Sequence, residues 1–222
     1  MTIPSPKRSK SHPSKQVILI REKAAYICRH FDVSPSGKKY SQEDFASLAG
    51  LTNANDGSDY KYNNLNNEEC ADIIRKYVKA APVEILKIFR IVVFNYLTLN
   101  DGAHLKNFSL INRGDGEYHL APAYDLINTS LHLSMPRIFA LDKGLFKEGM
   151  SLSDTIAIGR KDFEVFGRRI GLSERLIKRE LDFFAVEYPF AKELIDRSFL
   201  SDSLKRSYCL SYNYRRLSLG FK

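Results

Sequence analysis

Asn100-Asp101-Gly102-Ala103-His104-Leu105-Lys106-Asn107-Phe108-Ser109, followed by Leu120-Ala121-Pro122-Ala123-Tyr124-Asp125-Leu126, is the stretch on which the reading of this chain turns. Asn100-Asp101-Gly102 is a turn signal that stops a long apolar segment. Behind it, from Val83 to Leu99, the side chains of Ile85, Leu86, Ile88, Phe89, Val92, Val93, Tyr96 and Leu97 cover most of a helical circumference. A helix apolar nearly all round lies in the middle of a domain. Ahead of it, Phe108 to Asn112 and Glu117 to Leu120 read as two strands joined across Gly114-Asp115-Gly116, an Asp-Gly hairpin signal. A buried helix thus delivers the chain into a polar loop, and a hairpin carries it on to Asp125, 18 positions after Asn107.

Working outward, Ser41 with Asp44 three residues on has a capping-box arrangement, and Phe45, Leu48 and Ala49 before Gly50 predict a short helix. The asparagine-rich segment 52–67 reads as an irregular connection. Asn66 with Glu69 opens a helix that carries Ile73, Ile74, Tyr77 and Val78 as far as Pro82, which itself opens the buried helix. Beyond residue 161 the pattern is mostly helical: Ser173 caps a helix with Leu176, Ile177, Leu181 and Phe184, Pro189 interrupts it, and Ser201 opens a last helix. At the other end, Val17 to Arg21 and Ala25 to Phe31 read as the two strands of a hairpin, and Pro35-Ser36-Gly37 as a loop. The first 15 residues combine serines, three prolines and Lys7, Arg8, Lys10 and Lys15, a composition that cannot bury enough surface to order itself. The expected organisation is a disordered basic arm over 1–15 and one α+β, mostly α, lobe with small β-hairpins over 16–222.

With 44% apolar residues in 222, the chain can build a sizeable core, which excludes a disordered protein. Apolar runs such as Val17 to Ile20 are far below the roughly 20 residues of a membrane span, and no secretory signal is evident, so a cytoplasmic protein is expected. Cys28, Cys70 and Cys209 are scattered, with no metal or redox spacing, and read as reduced thiols. The net charge of +8 sits at the ends: residues 1–15 carry +4 and residues 203–222 carry +5, which leaves the body at −1. A basic surface for nucleic acid is therefore not a property of the body.

Phosphoryl transfer needs a carboxylate on the attacking hydroxyl, an amide oxygen and a second carboxylate on magnesium, and positive charge on the phosphates. In the protein-kinase signature the catalytic Asp lies five residues before the metal-binding Asn, and a second Asp follows a short hairpin. Asn107 and Asp125 occur here in that order. No histidine pair has zinc-ligand spacing, and no Gly-x-Ser-x-Gly elbow or Cys-His arrangement suggests nucleophilic hydrolysis.

Asn100, His104, Lys106, Asn107, Phe108 and Ser109, then Leu120, Pro122, Ala123, Tyr124, Asp125 and Leu126, resemble the core signature of the HipA family of bacterial serine/threonine kinases. Those kinases have a two-lobed, protein-kinase-like fold and are usually toxins of toxin–antitoxin pairs. Ile27-Cys28-Arg29-His30-Phe31-Asp32 is similar to the family's hinge strand, Gln42-Glu43-Asp44-Phe45 to its next helix, and Arg197-Ser198-Phe199-Leu200-Ser201 to its carboxyl end. The resemblance runs from about residue 17 to the end and implies a carboxyl-terminal kinase lobe with the hinge attached. It implies ATP and Mg2+ as cofactors, with Asn107 and Asp125 on the metal, and Arg29, Phe31, Gln42 and His104 at the nucleotide. His104 and Lys106 would serve the catalytic loop and phosphates. It also implies a protein substrate such as an aminoacyl-tRNA synthetase, a helix-turn-helix antitoxin as partner, and DNA only through that antitoxin.

Two departures from the family pattern stand out. The position five before Asn107 is Gly102, with Asp101 one place earlier, so the order is Asp-Gly where Gly-Asp is expected. One residue of backbone is about 3.8 Å, and about 1 Å of misplacement already costs on the order of a hundredfold in rate. Asp101 serves as the catalytic Asp only if the loop rearranges around Gly102. The amino-terminal lobe with its phosphate loop and lysine has no counterpart either, and no glycine-rich phosphate motif occurs. Two expectations follow: a HipA-type kinase, or a catalytically inactive kinase-derived module that binds a partner or needs a separately encoded amino-terminal lobe.

Overall fold

The computed structural model describes residues 16–20, 23–27, 30–133 and 137–220, the first two stretches by their backbone alone. The chain divides between Lys39 and Tyr40 into two compact units. In the first, β1 (Gln16–Ile20) and β2 (Lys23–Ile27) form an antiparallel pair with Val17 opposite Tyr26. That is the predicted hairpin, with β1 starting one residue and β2 two residues earlier than the runs read from the sequence. The expected arm over 1–15 and Arg29 lie outside the described residues.

The second unit opens with β3 (Ser41–Asp44), where the sequence suggested a capped helix. Ser41 to Asp44 pair with Asn112 to Ser109 of β4 (Ser109–Asn112), which in turn pairs with β5 (Tyr118–Leu120). Cross-strand bonding thus takes the residues read as a capping box, and the cap moves to Asp44, whose Oδ1 accepts from Ser47 N of α1 (Phe45–Leu48). The same pairing corrects the helical reading of Gln42-Glu43-Asp44-Phe45. The segment 52–67 is more ordered than its composition suggests: it holds α2 (Asn53–Asp56) and α3 (Tyr60–Asn63). Asn66 and Glu69 form the predicted capping box of α4 (Asn67–Tyr77).

The buried helix is α5 (Ala81–Thr98), with Ile88, Phe89, Val93 and Tyr96 at most 1% exposed. Short α6 (Leu152–Ile156) precedes α7 (Arg160–Arg169), α8 (Glu174–Ala185), α9 (Pro189–Asp196) and α10 (Asp202–Ser218). Phe89 meets Phe166 of α7 with ring centroids 5.8 Å apart, and Tyr96 meets Phe163 at 5.1 Å. Each such ring, fully buried, contributes about 2–3 kcal/mol. Tyr96 also donates to Ile158 O at 3.1 Å and lies 2.7 Å from Ser218 Oγ, tying α5 to the end of α10. The lobe is mostly helical with one small sheet, and α5 is the beam from which the polar loop departs.

Candidate phosphoryl-transfer site

The end of α5 fixes where the loop begins. Leu99 caps the helix in the left-handed region (φ 51°), a conformation that a branched residue adopts only when its surroundings hold it there. Thr129 does this, donating to Leu99 O from both Oγ1 (2.7 Å) and its backbone N (3.1 Å). Next, Asn100, 2% exposed, donates from Nδ2 to Asn95 Oδ1 (3.2 Å) and to the backbone oxygen of Asp125 (3.0 Å), while its Oδ1 accepts from Gly102 N (3.2 Å). One amide therefore joins the helix end, the loop and the segment after the hairpin. Asp125 also has left-handed backbone (φ 53°), which turns its side chain off the path of β5. Aspartate tolerates that region better than most residues.

A single 3₁₀ turn, Leu105–Asn107, follows His104 and anchors on buried Leu105. At its end Asn107 Nδ2 donates to Asp125 Oδ2 at 2.6 Å and to Gly102 O at 2.7 Å. Both partners are acceptors, so the amide orientation is settled and Oδ1 is the atom left for another ligand. An amide oxygen and an exposed carboxylate side by side are hard oxygen donors of the kind magnesium takes. Among the described residues no group of three or more His, Cys, Asp or Glu side chains could hold a metal ion. The pair suits an ion that draws its other ligands from water and a polyphosphate.

The remaining expected residues are distributed as follows. Gln42, on β3, donates from Nε2 to Ser109 Oγ at 2.8 Å, and Tyr124 donates to Lys106 O at 2.8 Å. Burial pushes the Tyr124 phenol above its usual range, so it stays a neutral brace on the turn. Lys106 is exposed. His104 packs edge-on against the Tyr62 ring (5.0 Å), and its Nδ1 is buried without a partner. Burial, then the Lys61 charge, lowers its pKa from the usual 6.5, so the imidazole is neutral at pH 7. Asp101 Oδ2 accepts from the backbone N of Arg137 at 3.2 Å, and its own N donates to Thr129 Oγ1. At Gly102 a Cβ would lie 3.2 Å from Asn100 Oδ1. Phe31 belongs to the first unit.

Sequence reasoning overlooked the bracing set of Asn95, Asn100, Ser109, Tyr124 and Thr129, and also Tyr62. Asn100 and Tyr124 stood in the quoted motif, but nothing in their spacing gave them a task.

A mostly helical lobe with a small antiparallel sheet and an amide–carboxylate pair after a buried helix has the architecture of a kinase carboxyl lobe. A family model of the HipA-like C-terminal domain matches residues 11–188, and the chain belongs to that family. It is 28% identical over 172 residues to a provisionally named kinase of Haemophilus influenzae, covering 71% of this chain and 48% of that one. A provisionally named kinase of Sinorhizobium fredii is 28% identical over 153 residues, covering 69% and 34%. The chain spans about half the length of these curated relatives, or less. Among solved structures, HipA of Shewanella oneidensis MR-1, in complex with HipB and operator DNA, matches with a TM-score of 0.69 at 17% identity, covering 92% of this chain and 50% of that one. The Helicobacter pylori proinflammatory kinase CtkA matches with a TM-score of 0.55 at 17% identity, covering 93% and 76%. These likenesses establish a fold shared with HipA and CtkA.

Proposed function

We propose that the chain is the metal- and phosphate-holding lobe of an ATP-dependent serine/threonine kinase of the HipA type. The observation that carries this reading is the 2.6 Å contact between Asn107 and Asp125, two residues separated by a whole hairpin. Asn107 Oδ1 and the Asp125 carboxylate would hold Mg2+. When bound, the ion neutralises charge on the β- and γ-phosphates. Asn107 is oriented by Gly102 O, and Asp125 by the Asn100 bond to its backbone, so neither needs reorganising when nucleotide arrives. Lys106 offers positive charge to the phosphates, and neutral His104 sets the start of the turn. Asp101 takes the proton of the acceptor hydroxyl as its oxygen bonds to the γ-phosphorus and the bond to the β–γ bridging oxygen breaks, releasing ADP. Gln42 would serve the nucleotide through its hold on Ser109.

The family and the Shewanella complex with HipB and operator DNA support a helix-turn-helix antitoxin as partner, with DNA reached only through it. A protein substrate such as an aminoacyl-tRNA synthetase and a cytoplasmic location complete the reading. No described helix is long and apolar enough to cross a membrane. A second reading, nucleotide binding without transfer, is favoured by Gly102 and by the Arg137 hydrogen bond that already engages Asp101.

Transfer of radiolabelled phosphate from ATP, to the chain itself or to bacterial lysate protein, separates the two readings. The kinase reading expects incorporation that Asp125→Asn abolishes and Asp101→Asn lowers by about a hundredfold. Magnesium-dependent ATP binding with no incorporation establishes the second reading, and the absence of both removes the nucleotide site altogether.

A further inference from the structure

Lys61 lies on α3, in the asparagine-rich segment that the sequence left as an irregular connection. It is half-buried, its Nζ is 5.1 Å from the centroid of the Tyr62 ring, and among the described residues it forms no ion pair. The same ring receives the Arg137 guanidinium at 4.9 Å and the His104 ring at 5.0 Å. Arg137 is already neutralised by Asp142. The His104 imidazole is uncharged at neutral pH, for the reason given above. Of the groups gathered on Tyr62, only Lys61 therefore carries a charge that nothing balances.

Its position is fixed by the fold. Tyr62 O accepts from Asp142 N at 2.9 Å, and Lys143 Nζ donates to Asn64 O at 3.4 Å, which pins α3 to the loop that follows residue 137. Contact between Tyr62 and His104 sets α3 against the turn that ends at Asn107. A cation on an aromatic face gains about 0.5–2 kcal/mol, enough to favour the Lys61 side chain lying along the Tyr62 ring. Lys61, through Tyr62 and His104, and exposed Lys106 adjoin the turn whose Asn107 contacts the Asp125 carboxylate, and a divalent ion there would raise the positive charge further.

We propose that Lys61, seated on Tyr62, is a phosphate-binding residue of this site, contacting the terminal phosphate of a magnesium-bound polyphosphate. This assignment rests on the proposed nucleotide site and adds a residue that the kinase signature does not contain. The positive charge comes from a short helix inside the carboxyl lobe itself.

Calorimetric titration of the full chain with magnesium tripolyphosphate, and separately with magnesium ATP and magnesium ADP, tests it. Lys61→Gln is expected to weaken tripolyphosphate and ATP by about tenfold and ADP by less, the scale of a lost charge-assisted hydrogen bond, with Lys61→Arg retaining most of the affinity. Thermal midpoints of both variants, matched to the parent, show that the fold is intact. If the parent binds, Asp125→Asn weakens binding and Lys61→Gln binds as the parent does, the Lys61 assignment alone is overturned. If the parent binds none of the three ligands in magnesium, the nucleotide reading falls and this one falls with it.

Discussion

Buried and bonded on three sides, Asn100 bears on the geometry of Asp125 without touching any reacting group. Replacement by Asp removes the Nδ2 donor and sets a carboxylate against Asn95 Oδ1 and the Asp125 carbonyl, two acceptors. Asn100→Asp is expected to cost about 3 kcal/mol in denaturant unfolding and to weaken magnesium-dependent nucleotide binding, whereas Asn100→Ala costs about 1–3 kcal/mol. His104 supplies a second test at this scale. Its pKa is depressed in the folded chain, so below about pH 6.5 the unfolded state takes up a proton that the folded state refuses, and stability falls as pH falls. A His104→Gln variant should flatten the slope of thermal midpoint against pH just below 6.5, and an unchanged slope would show that the imidazole is not the titrating group. The contact between Asn107 and Asp125 was legible in the sequence because the two residues have the chemistry and order of a known arrangement. Asn100 and Thr129 were not, because apart from the Asn100 bond to Asn95 Oδ1 their work is done through backbone atoms, which leave no requirement on spacing.

Elements were legible where their own side chains decide them. The capping box of α4, the proline of α5 and the Ser173 cap of α8 act within one turn, and the sequence placed those helices, whereas Pro189, read only as an interruption of α8, opens α9. Ser41 to Asp44 was misread because the same residues suit a helix start locally, and only pairing with Ser109 to Asn112, some 67 positions away, makes them a strand. Helix α7 comes close to its neighbours at Gly167, where a Cβ would stand 2.7 Å from Ile177 Cγ1 and 3.2 Å from Phe89 Cε2. Ile177 and Phe89 are fully buried, so neither has room to retreat. Gly167→Ala is therefore expected to destabilise the lobe by about 1–3 kcal/mol, read as a lower denaturant midpoint, despite alanine's better helix propensity. A rise in the midpoint would mean that α7 and α8 separate freely. Near the same contact Arg90 of α5 reaches Glu180 of α8 through two bonds of 2.7 and 2.8 Å, which hold that carboxyl below its usual range.

At the scale of the whole molecule, the net charge of +8 misleads unless it is followed to where each cation goes. Of the basic residues in α10, Arg216 donates to Ala185 O, Lys205 donates to Asp196 O, and Arg215 lies over the Tyr96 ring. These cations pack the helix against its neighbours, and they do not present a free basic face. Among the described residues, Lys61 and Lys106 bring positive charge to the turn that holds Asn107, so whole-molecule stability should respond to ligands there and in a particular order. A single carboxylate and an amide are too few to retain bare magnesium, which binds through one or two carboxylates together with substrate phosphates. Magnesium alone should leave the thermal midpoint unchanged. Magnesium with ATP at about ten times its dissociation constant should add about 1.4 kcal/mol, or roughly 3–6 °C for a chain of this size. Chelation of the metal, or Asp125→Asn, should remove that gain. A shift of equal size with ATP in the presence of chelator would mean that the nucleotide is held without the Asn107–Asp125 pair, and the metal role assigned to these residues would fall.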